Sequence, residues 1–525
     1  MSGSLIIFLH AHLPYVNHPE HEYSLEENWL FEAAIETYIP LLDMLDTMAE
    51  EGLAPHLTLS LSPSLTEMFN SPRLQKRLLR HMANLTALAE AEIKRTTNTA
   101  FEPVAELYLR RLKRVRLLYE ERYGRDLTAA FRRLQDCGHI ELLTTSATHA
   151  FLPAFAHHPE TIRNQIKTGM ESYRRNFGSD PAGFWLPECG YYKGLDILLK
   201  EAGVKYFFVE SHGLLYGKPR PQFSVYRPIL TSSGLTVFGR DTRSARQVWC
   251  ASSGYPGDPC YRDFYRDIGF DLPEDYVGAF THLKGIRTFT GLKYYRITGK
   301  TPEKLAYDPT TAVKKASEHA AHFLKDRELD FDRMAGRCPE PLIFSAFDAE
   351  LFGHWWFEGV DWLDAVIRKT AESDSLKIVT AKEYLNRQSV PPEIVEPSPS
   401  TWGEGGHGGT WISENNYHIY GKLHRAAEQM ESLVRNYGRL HNINPLIARA
   451  IRQAQRETFL SQASDWPFLI EKDRASGYAA GRIEAHIERF NRLYSMITDG
   501  SIDERELAQL EHSDGIFPWL DAGLR

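Results

Sequence analysis

Short apolar runs that stop abruptly at polar residues recur along this chain, separated by helix-forming stretches. Leu5–Leu9 runs into His10-Ala11-His12, His56–Ser62 alternates as HLTLSLS, and Ile140–Leu143, Phe184–Leu186, Tyr206–Glu210, Leu235–Phe238 and Leu376–Val379 follow. Runs this short and this rich in β-branched and aromatic residues read as buried strands. Helical patterns between them, at Thr161–Phe177, Gly194–Ala202, Pro309–Asp326 and Asp361–Ala371, make the order strand, helix, strand, helix. That order predicts a parallel α/β sheet with helices outside it. It also gathers the polar strand ends along one edge, where enzymes of this class keep their chemistry.

Two of these ends carry one acid each. GFWLPECGYY (183–192) breaks at Pro187 and offers Glu188; PLIFSAFDAELFGHWW (341–356) offers Asp348. The bland alternative for Glu188 is a cap on the helix that begins near Tyr192. Paired carboxyls suit glycosidic bond cleavage, which needs one acid protonated and one ionised. Glu188, fixed behind a proline, suits the ionised role. Asp348 is followed by Phe352, Trp355 and Trp356, apolar bulk that would keep it protonated.

Strand alternation puts His10 and His12 on one face, with His149 just past the third strand. An HxH pair is either a metal half-site or a pair of hydrogen-bond donors; the other ligands of a zinc site are not evident, so sugar hydroxyl contacts are expected and no metal. Histidines satisfied by neighbouring backbone are the alternative. Glu26–Glu50 reads as a helix broken or bent near Pro40, and residues 72–135 as a helical insertion with solvated charged faces. The long irregular stretch from Ala251 to Asp275 holds GYPGDP and reads as a functional lid, with Tyr255 at its tip or else buried as its anchor. Pro391–Pro399 has four prolines and reads as a linker. In the glycine-rich 401–411 that follows, Trp402 and Trp411 read as sugar platforms, or the segment as a hinge. From 412 to 525 the chain is mostly helical, with an aromatic corner at Asp465-Trp466-Pro467-Phe468.

Composition narrows the class. The 525 residues exceed what one core usually holds. A net charge of -8, from 61 basic and 69 acidic residues, gives no case for nucleic acid or an anionic membrane. No stretch approaches the roughly 20 apolar residues of a membrane helix, and no signal segment is evident. Five cysteines without a CxxC pair suit a reducing, cytoplasmic setting.

HAHLP (10–14), WLPECGY (185–191), FDAELFGHWW (347–356) and TWGEGGHGGTW (401–411) together resemble glycoside hydrolase family 57, and within it the 1,4-alpha-glucan branching group. The resemblance spans the whole chain in order. It implies an incomplete, TIM-like (β/α)7 barrel over residues 1–390, a cleft segment at 391–411 and an all-α C-terminal domain. It implies a retaining mechanism in which Glu188 matches the nucleophile and Asp348 the general acid/base, with no cofactor. His10, His12, His149, Trp185, Tyr255, Trp355, Trp402, Trp411 and Asp465 then become expected substrate contacts. An α-glucan is the expected donor and acceptor, handled by a monomer. An amylase or 4-alpha-glucanotransferase of the same family is the nearest rival, ahead of a metal-dependent deacetylase or a non-catalytic glucan-binding protein. Favouring a sugar hydroxyl over water a hundredfold takes about 2.8 kcal/mol, within reach of two to four aromatic platforms at about 0.5–1.5 kcal/mol each.

Overall fold

The computed structural model describes residues 3–250, 252–281, 285–437 and 444–521, so Ala251, at the start of the expected lid, lies outside the described residues. Among the described residues nine strands form: β1 (Gly3–Ala11), β2 (Leu57–Leu61), β3 (Ile140–Leu143), β4 (Gly183–Phe184), β5 (Tyr206–Val209), β6 (Ile229–Leu230), β7 (Thr236–Gly239), β8 (Leu342–Asp348) and β9 (Leu376–Ile378). One sheet has the order β3-β2-β1-β8, with β9 also on β1; the other runs β4-β5-β7-β6. All pairings are parallel except β6 with β7. Two contacts join the sheets. Trp185 N donates to Thr144 O at 2.9 Å beside a parallel Thr144–Phe184 bridge, and Asp241 N donates to Phe344 O at 2.8 Å.

Alternation along β1 explains where the chemistry sits. Leu5, Ile7 and Leu9 point one way, into the packing between sheet and helices. Ile6 and Phe8 point the other way, into an inner cluster with Trp185, Phe208, Phe238 and Phe344. Phe8 stacks on Trp185 at 4.7 Å and Phe208 on Phe344 at 4.8 Å. His10 and His12 continue that inner face beyond the apolar plug, at the carboxyl ends of the strands.

The first helix is not broken at Pro40. Helices Glu27–Ala33 and Ile39–Glu50 join through a π-turn at Ala34–Tyr38. Proline has no N–H for the Glu36 carbonyl four residues back; Arg111 Nη2 donates to that oxygen instead, at 3.1 Å. Gly353 packs on the same oxygen with φ 101°, and a Cβ there would lie 2.0 Å from it. The turn aims Tyr38 at Glu350, where its hydroxyl donates a hydrogen bond.

The expected insertion forms helices Pro72–Thr96, Glu102–Leu117 and Leu127–Asp136, with a π-turn between the last two. The expected linker is not loose: Lys218 bridges Glu396, Leu230 bridges Ile394 and Tyr191 bridges Ser400, because the unpaired edge of β6 and its neighbours offers backbone partners. The helical region holds Tyr420–Tyr437, Pro445–Ser461, Asp465–Glu471, Ser476–Thr498 and Glu504–Ser513. The expected aromatic corner opens the short helix Asp465–Glu471, with Trp466 buried. Its core is continuous with the sheet, since Phe184, Leu186 and Val209 share one apolar cluster with Ile419, Ile451 and Phe490. Among the described residues no helix is long and apolar enough to cross a membrane.

Candidate active site

Glu188 sits in a one-turn 3-10 segment, Pro187–Cys189, with left-handed backbone at Glu188 (φ 61°) and Cys189 (φ 51°). Such conformations cost of order 1–3 kcal/mol each and persist where the surroundings impose them. Here the glycine-rich segment does the holding. Trp402 N donates to Glu188 O at 3.1 Å, and Trp402 Nε1 donates to Glu188 Oε2 at 2.8 Å. The second carboxylate oxygen accepts from Ser464 Oγ at 2.8 Å. Ser464 follows the helix Pro445–Ser461 and is fully buried. Residues from β4, the 401–411 segment and the helical region therefore converge on one carboxyl.

Asp348 ends β8, in register with His10 on β1. Burial lifts its pKa well above the usual carboxylate range, and Glu350 and Glu188 push it further; Arg240 opposes them. Burial also raises Glu188, against the Trp402 and Ser464 hydrogen bonds, with Asp465 adding to the rise and His12 resisting it. Arg240 is itself held by Glu210 Oε2 (3.0 Å) and Ala346 O (3.1 Å), with its guanidinium 5.4 Å from the Trp402 ring centre. Glu350 accepts from Tyr38 and from His12 N (3.1 Å), and burial pushes its pKa up to about 7.

The three histidines converge as expected, but on protein partners. His10 Nδ1 meets Ser60 Oγ at 2.7 Å and its Nε2 meets His149 Nε2 at 2.9 Å. His149 Nδ1 meets Ser464 Oγ at 2.8 Å. His12 Nδ1 meets Ser62 Oγ at 2.9 Å and its Nε2 meets Asp465 Oδ2 at 3.1 Å. Every ring nitrogen of the three thus meets a protein partner, where sugar hydroxyl contacts were expected. His12, His149 and Asp465 are close enough to be weighed as metal ligands. The His12 and His149 rings, however, stack at 3.8 Å and 23°. In-plane lone pairs of stacked rings run side by side instead of meeting at one point. The other close set, Glu457, His486 and Asp514, is buried between helices, where Arg482 and Arg489 already supply positive charge to Asp514.

Four aromatic expectations divide. Trp355 is 44% exposed and stacks on Phe264 at 4.5 Å. Trp185 is fully buried behind His10, 5.2 Å between ring centres, and so backs the site from within the core. Trp411 is 1% exposed, stacked on Phe151 at 5.0 Å beneath Gly403, and is no surface platform. Tyr255 is not at an exposed tip. It is 8% exposed, its hydroxyl meets His322 Nδ1 at 2.8 Å, and its ring stacks on His319 at 4.5 Å. The Gly-Tyr-Pro-Gly sequence folds as a tight 3-10 turn that packs onto the long helix Pro309–Met334. Tyr255→Ala is accordingly expected to cost about 3 kcal/mol of stability, as for a buried aromatic, read as a fall in Tm. An unchanged Tm would return Tyr255 to a mobile tip.

Sequence reading missed Ser60, Ser62, Ser464, Arg240, Glu350 and Tyr38. The SxS of β2 matches the HxH of β1 in a parallel pair (His10 opposite Ser60), a signal that a register argument would have found. Glu350 lies in the same DAE triplet as Asp348. Ser464 had no local signal.

Parallel α/β sheets with two part-buried carboxyls facing one site beyond the strand ends are the arrangement expected of an enzyme. The glycosyl hydrolase family 57 model matches residues 6–397, and a model of the C-terminal region of 1,4-alpha-glucan branching enzymes matches residues 422–524. The chain belongs to glycosyl hydrolase family 57. It is 31% identical to a 1,4-alpha-glucan branching enzyme of Thermococcus kodakarensis, over 98% of this chain and 78% of the relative. Among solved structures, the α-amylase AmyC of Thermotoga maritima matches with TM-score 0.92 and 41% identity, covering 100% of this chain and 99% of that one. A family 57 branching enzyme of Pyrococcus horikoshii matches with TM-score 0.90 and 31% identity, covering 100% and 97%.

Proposed function

We propose that this chain is a 1,4-alpha-glucan branching enzyme, cleaving an α-1,4 bond and transferring the segment to a 6-hydroxyl by a retaining double displacement. The observation that carries the mechanism is the unequal treatment of two part-buried carboxyls. Glu188 has a donor on each oxygen, which favours the ionised nucleophile. Asp348 is desolvated, with Glu350 and Glu188 beside it, which favours the protonated acid. Trp355, exposed and stacked on Phe264, is the ring assigned to glucan contact, and Trp402 contributes through Glu188. The match of residues 422–524 to the branching-enzyme C-terminal region supports transfer to a sugar over transfer to water. Hydrolysis is the second reading, favoured by the 41% identity to an α-amylase. Incubation with amylose, then debranching and chain-length analysis, separates them. New α-1,6 linkages with few new reducing ends are expected; shortened chains without α-1,6 linkages would make the protein an amylase.

The same reading closes the sheets into a seven-stranded barrel, β1-β2-β3-β4-β5-β7-β8, with the Thr144–Trp185 and Asp241–Phe344 hydrogen bonds as its two seams. Residues 1–390 then form the catalytic unit, 391–411 the cleft segment and 412–525 the helical part. Five unpaired thiols suit a reducing cytoplasm.

The acid's electrostatics give a pH test. Glu350 is a like charge beside Asp348, so Glu350→Gln lowers the Asp348 pKa. Because the acid works protonated, the basic limb of kcat/KM moves to lower pH, by about half to one unit. A limb that stays put would detach Asp348 from the acid role or Glu350 from its control.

A further inference from the structure

We infer that Ser60, His10, His149 and Ser464 form a hydrogen-bond relay of fixed direction that ends on Glu188 and positions it for attack. The inference rests on Glu188 being the nucleophile. The links are Ser60 Oγ to His10 Nδ1 (2.7 Å), His10 Nε2 to His149 Nε2 (2.9 Å), His149 Nδ1 to Ser464 Oγ (2.8 Å) and Ser464 Oγ to Glu188 Oε1 (2.8 Å).

Direction follows from proton inventory. An ionised carboxylate only accepts, so the Ser464 hydrogen must point at Glu188. Ser464 has then spent its only hydrogen, and His149 must donate to it from Nδ1. A neutral His149 leaves Nε2 bare, so His10 donates from Nε2. His10 Nδ1 is left to accept from Ser60. Each assignment forces the next. The Nε2–Nε2 contact also requires one bare nitrogen, so the two rings cannot both be imidazolium; burial lowers the pKa of each well below the ordinary histidine value. The reverse direction needs a proton on Glu188 Oε1. The forward relay therefore goes with the ionised nucleophile.

The first three links are buried, with His10 1% and His149 2% exposed, and the last, onto Glu188, is part-buried. These residues are positioning residues, acting through Glu188 and not on the sugar. The other groups facing Glu188 are Asp465, which raises its pKa, His12, which lowers it, Trp402, and Asp348 across the site.

The experiment is the pH dependence of kcat/KM on maltooligosaccharide with the full-length protein. Ser464→Ala should move the acid limb up by about one pH unit, and Ser464→Thr, which keeps the hydroxyl, should restore it. Ser60→Ala, three links from the carboxylate, should move the limb the same way. The double variant should shift it no further than Ser464→Ala alone. An acid limb unmoved in either single variant, or additive shifts in the double, overturns the relay. Nitrogen-15 histidine spectra of the unaltered protein test it without any variant, expecting the proton on Nε2 of His10 and Nδ1 of His149. The opposite tautomers overturn it. Turnover surviving in Glu188→Gln would instead remove the nucleophile reading, which separates the two failures.

Discussion

Glu188→Gln is expected to lower turnover of amylose by on the order of 10⁵-fold, roughly 7 kcal/mol at about 1.4 kcal/mol per factor of ten. The substitution is close to isosteric. Trp402 Nε1 and Ser464 Oγ each have an amide atom to face, and the amide oxygen still accepts from one of them. Removing a part-buried carboxyl whose pKa desolvation lifts should also relieve, and not add, a cost to folding. An unchanged or raised Tm with lost turnover is thus the expected pair of results. Glu188→Gly sharpens the test, because the vacated space opens one face of the sugar to a small external nucleophile. Azide should restore turnover there and give a glycosyl azide of inverted anomeric configuration. Turnover within tenfold of the unaltered protein in Glu188→Gln would move the nucleophile elsewhere, and azide product of retained configuration would make Glu188 a base for water.

That expectation was legible in the sequence because the signal was local. A run of apolar residues stopped by Pro187 leaves the next side chain at the strand's end, and β8 repeats the design at Asp348. The strands themselves were readable for the same reason: β1, β3, β5, β7 and β8 are short, largely apolar runs, and β2 and β9 alternate apolar with polar residues. β6 escaped because two residues, Ile229 and Leu230, carry no period, and its antiparallel pairing is set by the β7 neighbour. Pro40 was read as a bend because proline's missing N–H is local knowledge. What restores the helix is Arg111, more than seventy residues away. Exposure was the least legible property. Tyr255 and Trp411 stand among glycines and prolines, a loop's composition, yet each closes over partners far along the chain, the helix Pro309–Met334 and Phe151. Glycines next to a large ring can mark a tight backbone packed on that ring as readily as a mobile tip. Gly403, where a Cβ would lie 2.6 Å from Trp411, is such a case.

Asp348→Asn should lower turnover of amylose by about 10²–10⁴-fold, the usual contribution of general acid–base catalysis. The loss should depend on the leaving group. An asparagine has no proton for the departing 4-oxygen of a glucan, whereas the fluoride of an α-glucosyl fluoride leaves without one. With the fluoride substrate the first step should stay fast and the second become slow, since an incoming hydroxyl now lacks its base. A burst of fluoride and a covalent adduct on Glu188, seen by intact mass, are the expected signatures. Water and a sugar 6-hydroxyl need the same base, so Asp348→Asn should slow branching and hydrolysis together and leave their ratio nearly unchanged. Equal impairment on fluoride and amylose would argue that Asp348 stabilises charge without moving a proton. A changed ratio would mean that two different groups deprotonate the two acceptors, and Glu350, buried beside Asp348 with its pKa pushed up to about 7, would be the second.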